Sequence, residues 1–509
     1  MATSSVPPCA MYARIKTIIA EARLESGGGG GYDNSSGGGS SPASPGASES
    51  DGSSSADEFY PPDLITSEFP RHASPLSSSA RDEFDFDRDC VRQFFVSSPR
   101  VLDDVHTHQQ RTLLLLLPAF ASPADAASQA DALSHWLSGL DIAWVLDMGA
   151  SGRGGGALPR RELGSRVSAW AQALGTMERL FRRLRHRELE PAQAAALGEL
   201  AAASSGAMLG LAGAVAVLGS SPSTLLAALD LYAPLSETYP VLAVLFSWGP
   251  FHPVPAAAGA ALAGLVETAR RGGRDLGAFV RSHCTWQMPQ GGEVHPCVGF
   301  WMGYLRCMLR RRVSLHLVLG GDDGESPATP LAPGAEGIHR LVAELVSCLE
   351  AALEEKAAAL ASPGLRQVFM LNNTHAVVRR AAGSDLRHFL PSDWLRVREE
   401  RIEGLIRGYM DASWVPVVSR LDSGGGRTKQ PARRRRPLIA FYTAFENACS
   451  AQRCWNVPNP ALRGVLRNTV SEYVVPAYRR YLDDHPEVEA APGHTAEELE
   501  EQLSDLFEG

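Results

Sequence analysis

Helical periodicity without any competing strand pattern is what most limits the folds open to this 509-residue chain. Residues 365–421 (LRQVFMLNNTHAVVRRAAGSDLRHFLPSDWLRVREERIEGLIRGYMDASWVPVVSRL) read as helix, tight break and helix. In the first helix Leu365, Val368, Phe369 and Leu371 set an apolar face at helical spacing. Asn372, Asn373 and His375 interrupt that face with side chains that need hydrogen-bond partners wherever they are buried. Ser384 is placed to cap a short helix holding Leu386, Phe389 and Leu390, and Ser392 to cap the helix that opens at Asp393, Trp394 and Leu395.

The same pattern fills the rest of the body. Trp170, Leu174, Met177, Leu180, Phe181 and Leu184 share one helical face, and Leu341, Val342, Leu345, Val346 and Leu349 another, which stops at Ser362, Pro363 and Gly364. Asn459 ahead of Pro460 is a cap with proline in the first helical position, opening a long helix that Pro476 is expected to bend. Thr495 with Glu498 forms a capping box for a last helix whose Leu499, Leu503 and Phe507 face inward. Connections are short except at 320–337 and 422–433, so the expected fold is all-α, with antiparallel helices packed in bundles. Length alone predicts two to four packing units.

Order is expected to begin late. Residues 1–83 form a Gly/Ser-rich acidic tail that cannot bury enough surface to offset its ordering entropy, apart from a short amphipathic helix at 11–24 around Ile15, Ile18 and Ile19. A helical segment at 84–150 follows, closed by the glycine run 149–156, and bundles are expected at 160–320, 336–425 and 433–509. The glycine run lacks the Lys and Ser/Thr of a phosphate loop and reads as a linker.

Several function classes lose their support at this level. No HExxH or GxSxG motif is present, the 14 histidines are scattered, and the close pair Cys449 and Cys454 has no second pair at zinc spacing, so no enzyme, cofactor or metal site is expected. Eight dispersed cysteines and no signal-type leader point to a reduced compartment. The longest apolar run, 206–219, is short of the roughly 20 residues of a bilayer span, so membrane contact is expected to be peripheral. The formal charge of −9 is uneven: residues 483–509 hold ten acids and no Lys or Arg, whereas 396–467 hold fourteen Lys/Arg against six acids.

One patch carries functional promise, the run RTKQPARRRR at 427–436, read as a glycine-led loop before a helix starting near Pro437. Lys429, Arg433, Arg434, Arg435 and Arg436 are candidate contacts for an anionic lipid surface. A solvated loop and nuclear import or nucleic-acid binding are the other readings, and the run has no interleaved aromatics to stack bases, so no nucleic-acid partner is expected.

Phe369, Leu371 to Asn373, His375, Val378 with Arg379, Asp393 with Trp394, and Ala412 to Trp414 together form a pattern. It resembles that of the Exo-seventy subunit family of the exocyst. LLAALDLYAPLSETY (225–239), VHPCVGFWMGY (294–304), SEYVVPAY (471–478) and LSDLFEG (503–509) extend the resemblance, the last of them toward the plant branch. The resemblance implies an elongated rod of stacked helical bundles and a non-enzymatic role in vesicle tethering at the plasma membrane. It implies other exocyst subunits as partners, a cytoplasmic protein peripheral at that membrane, and phosphoinositide contact through basic residues of the C-terminal bundle. Small GTPases or immune-related proteins are further expected partners. The family's long N-terminal coiled coil has no counterpart in this Gly/Ser-rich tail, which keeps open an alternative: a helical interaction scaffold detached from the complex, for example in plant defence.

Overall fold

The computed structural model describes residues 99–121, 125–146, 160–186, 191–247, 252–283, 290–319, 333–422, 431–486 and 494–509. The expected tail 1–83 with its helix at 11–24, the residues up to 98, the glycine run 149–156 and Lys429 lie outside the described residues.

Among the described residues every regular element is helical. In chain order they are α1 (Pro99–Phe120), α2 (Ala126–Gly139), α3 (Arg160–His186), α4 (Pro191–Val217) and α5 (Pro222–Leu245). Next come α6 (Pro253–His283), α7 (Pro296–Leu309), α8 (Arg312–Leu319), α9 (Pro333–Ala358) and α10 (Pro363–Ala382). A 3₁₀ turn (Asp385–Phe389) leads to α11 (Trp394–Ser413), α12 (Val415–Asp422), α13 (Pro431–Arg453), α14 (Pro460–Asp484) and α15 (Ala496–Ser504). Many open on proline, whose missing N–H costs nothing at the first helical position. The described residues divide into two compact units, one of 99–279 with 307–341, the other of 280–306 with 342–509.

In the first unit α4 packs against α1, α2, α3 and α5, and α3 lies along α5. Burial from several sides makes α4 apolar all round. Its stretch Ala195–Val217 is long and apolar enough to cross a bilayer by length and composition, which corrects the expectation that no segment reaches that length. Half of that window is buried against protein, the character of a core helix. Beneath this layer Arg311 holds Asp230 in a bidentate ion pair and donates to the Cys307 carbonyl at 2.7 Å. The charges of that half-buried pair are thereby paired and hydrogen-bonded, as burial requires.

In the second unit α10 packs on α11, α12 on α13 and α14, and α15 on α14. The capping chemistry partly follows the sequence reading. Ser362, four residues past the end of α9, caps α10 by accepting from the Leu365 amide, Asn459 accepts from the Leu462 amide at 2.9 Å, and Thr495 with Glu498 forms the expected box. Two expected caps fail. Ser384 bonds back to the Arg380 carbonyl at 2.8 Å rather than forward, and the cap residue of α11 is Asp393 in place of Ser392, with no side-chain bond. A hydroxyl near a helix end has both a carbonyl behind it and an amide ahead of it, and here the carbonyls of α10 win.

Candidate functional site

The basic run sits at the head of α13. The helix opens at Pro431, ahead of the start expected near Pro437, so Arg433 to Arg436 occupy its first turns rather than a loop. Proline suits the first helical position, and Pro437 is tolerated further along at the loss of one hydrogen bond. No acidic residue lies in the first turn, so the arginines stand at the positive end of the helix macrodipole. Arg436 is exposed, Ile439 is 60% exposed beside it, and Leu438, Phe441, Tyr442 and Phe445 turn inward.

The inward face fixes the helix. Phe441 stacks on Tyr478 of α14 with ring centroids 5.5 Å apart. The Tyr442 hydroxyl meets that of Tyr478 at 2.9 Å, and Tyr478 donates onward to the His494 carbonyl at 2.6 Å. Burial drives the Tyr478 phenol well above its ordinary range, so it stays a neutral donor. His494 packs on the Tyr442 ring at 4.0 Å and bonds the Glu446 carboxylate at 3.0 Å. The short link between α13 and α14 joins their adjacent ends, so the two run antiparallel from this contact. Arg436 and the exposed pair Asp483 and Asp484 therefore lie on the same side of the Tyr442–Tyr478 contact, each roughly 9 Å along its helix from it.

A second constellation gathers the polar residues that interrupt α10. Asn372 donates to the carbonyls of Gly292 at 2.8 Å and Asn456 at 2.9 Å. Asn373 donates to the Phe369 carbonyl at 2.7 Å and accepts from the His295 amide at 2.8 Å. Two asparagines thus clasp the segment leading into α7 and the segment leading into α14. Gly292 is left-handed (φ +82°), a conformation that favours glycine, and a Cβ there would make the tip of Leu365 shift from 2.8 Å. His375 is buried, and desolvation alone pulls its imidazole down to about 4, keeping it neutral.

A third network lies alongside. Trp414 donates to the Tyr409 hydroxyl and Tyr409 to the Gln452 side-chain oxygen, both at 2.6 Å, with Phe507 edge-on to the Tyr409 ring at 5.9 Å. The C-terminal residues are tied down too: Val457 donates to the Phe507 carbonyl, and Glu508 receives Arg463 and Arg467. Those guanidinium contacts hold the Glu508 carboxyl below its ordinary value. The motif residues Phe369, Asn372, Asn373, His375, Trp394 and Trp414 are therefore framework, each buried. Gly291, Gly292, Gln452 and Asn456 complete that framework and went unread in the sequence, where only the Gly-Gly pair hinted at a special turn. Among the described residues no group of three His, Cys, Asp or Glu is placed to hold a metal.

Residues 175–505 match a family model, that of the C-terminal region of the Exo70 exocyst complex subunit. The chain belongs to this family. Exocyst complex component EXO70B2 of Arabidopsis thaliana is 28% identical over 310 residues, covering 59% of this chain and 50% of that protein. EXO70A1 of the same plant is 25% identical over 332 residues, covering 61% and 51%. The chain spans about half the length of these relatives. The solved structure of the exocyst component Exo70p of S. cerevisiae is 14% identical, with a TM-score of 0.46 over 82% of this chain and 93% of that one. The Exo70 match takes in both the asparagine clasp and the arginine-headed α13, and ends just short of Phe507.

Proposed function

We propose that this Exo70-family chain serves as a non-catalytic exocyst subunit in exocytosis, cytoplasmic and peripheral at the plasma membrane. In this reading it helps to tether vesicles there together with other exocyst subunits. The family match over 175–505 carries the reading, and the buried motif residues support it, because they are the ones that hold the bundle together. Lys429 and Arg433 to Arg436 are its membrane-facing contacts, with phosphoinositide headgroups as ligands. Phosphate at the head of α13 would neutralise both the arginines and the positive helix end, each basic residue near an anionic leaflet gaining about 1 kcal/mol. Small GTPases and immune-related proteins remain candidate partners under the same reading.

The acidic end of α14, level with the arginines, favours a second reading, a helical scaffold that works detached from the complex, as in plant defence. Affinity purification of the tagged full chain, with the other exocyst subunits quantified, separates the two. Co-purification at the level of an ordinary family member is the expected result, and their absence overturns the tethering role.

A further inference from the structure

Residues 506–509 cross the link between α13 and α14, at the far end of α13 from the arginine run. α15 stops at Ser504, and the chain turns back at Phe507, whose φ of +68° is left-handed. Bulky residues rarely take that backbone, so contacts beyond the turn hold it. Leu506 and Phe507 are fully buried, the Phe507 ring edge-on to Tyr409. Asn456 and Glu508 form an antiparallel bridge, and Val457 donates to the Phe507 carbonyl at 3.3 Å. Arg467 donates through Nε to the Leu506 carbonyl at 2.8 Å. Arg463 and Arg467, one turn apart on α14, each hold one oxygen of the Glu508 carboxylate at 2.5 Å. Apolar seats, main-chain pairing and a charge clamp are the parts of a site that recognises an extended peptide, here filled by the chain's own strap.

The receiving side is fixed from behind. Asn456 donates its amide to the Gly291 carbonyl at 2.9 Å, and its own carbonyl accepts from Asn372. The Tyr409 hydroxyl is held between Trp414 and Gln452. None of these bonds involves the strap. The strap is held less firmly: it is left-handed at Phe507 and again at Gly509, Glu508 is 59% exposed, and salt screens the exposed ion pairs. The turn at Phe507 brings the chain back from α15, and a strand arriving from elsewhere meets the same bridge in ordinary extended backbone. The identical strap of a second copy lacks the effective concentration of the tethered one, so it is the weaker competitor.

We propose that the groove formed by Tyr409, Asn456, Val457, Arg463 and Arg467 is a docking site for an extended segment of another protein with the pattern apolar, Phe, acid, and that residues 506–509 close it until such a segment displaces them. The probe is a fluorescein-labelled peptide of residues 503–509, LSDLFEG, titrated into the full-length chain and read by anisotropy. The F507S/E508S variant, its own strap disabled, is expected to bind the peptide saturably. A peptide with Ser in place of Phe507 is expected not to bind, and adding R463Q/R467Q to the variant to weaken binding at least about tenfold. The wild type is expected to bind about ten- to a thousandfold more weakly than the variant, since only molecules with an open strap can take the peptide. Hydrogen exchange across α11, α13 and α14 shows whether F507S/E508S keeps its bundle. No binding to a variant that keeps this protection overturns the proposal. Loss of protection through all three helices makes the strap a fixed part of the core and overturns it too. Equal binding to variant and wild type places the peptide elsewhere, and no binding to the wild type means that the strap is not displaced; either result overturns the proposal. A wild-type dimer that the peptide dissolves assigns the groove to a second copy and overturns a foreign partner.

Discussion

His375 has a measurable consequence through its burial. Its folded-state value of about 4 lies below the ordinary 6.5, so the unfolded chain binds the proton more tightly. Stability is therefore unaffected above 6.5, falls as pH drops through the window from 6.5 to 4, and has lost up to about 3 kcal/mol below it. The H375Q variant is expected to show a flatter stability profile between pH 4 and 6.5 in urea titrations, and an unchanged slope there would assign the acid sensitivity elsewhere. The asparagines beside it make a different prediction. N373L removes the acceptor of the His295 amide and leaves buried backbone groups unmatched, so a loss of about 2–4 kcal/mol in denaturant stability is expected. That these positions interrupt an apolar face was legible in the sequence. Which groups they satisfy was not, because Gly292, His295 and Asn456 lie some 80 residues away along the chain, and no local pattern links them.

Among the helices, legibility followed how local the determining chemistry is. Asn459 with Pro460, and Thr495 with Glu498, act within one turn, and both caps form as read. The head of α13 did not read as helix, since a run of arginines ahead of an internal proline is locally a poor helix start. Packing of Leu438, Phe441 and Phe445 against neighbouring helices supplies what propensity lacks. The apolar length of α4 was underread for the complementary reason: Ser204 and Ser205 break the run in sequence, yet both are buried, and Ser204 accepts from the Trp170 indole at 3.1 Å. A local cap should also fail locally. Replacing Thr495 by Ala is expected to cost about 1 kcal/mol and to raise amide exchange chiefly across α15, where the capping box orders the first turn. Loss of protection throughout α13 and α14 as well would show instead that the cap sets the stability of the whole bundle.

Across the whole molecule, a net charge of −9 opposes approach to an anionic bilayer, so any such binding has to be a local effect that overcomes the average field. Screening confines surface fields to about 10 Å at physiological salt, which makes the neighbourhood of α13's first turns decisive. The exposed Asp483 and Asp484 lie near the end of α14, on the same side of the Tyr442–Tyr478 contact as Arg436. Under the membrane-contact reading the two opposite patches would partly cancel, and any attraction to a bilayer would be the difference between them rather than the count of arginines. Flotation with vesicles containing phosphoinositide is therefore expected to show binding that weakens steeply as salt rises, and that is lost when Arg433 to Arg436 are all replaced by Gln. The D483N/D484N variant is expected to bind severalfold more tightly than the wild type at low salt, with the difference fading at high salt. If the aspartate variant binds no better than a wild type that does bind, the end of α14 exerts no control over the arginines. If the four-arginine variant binds as well as the wild type, the membrane contact lies on another surface.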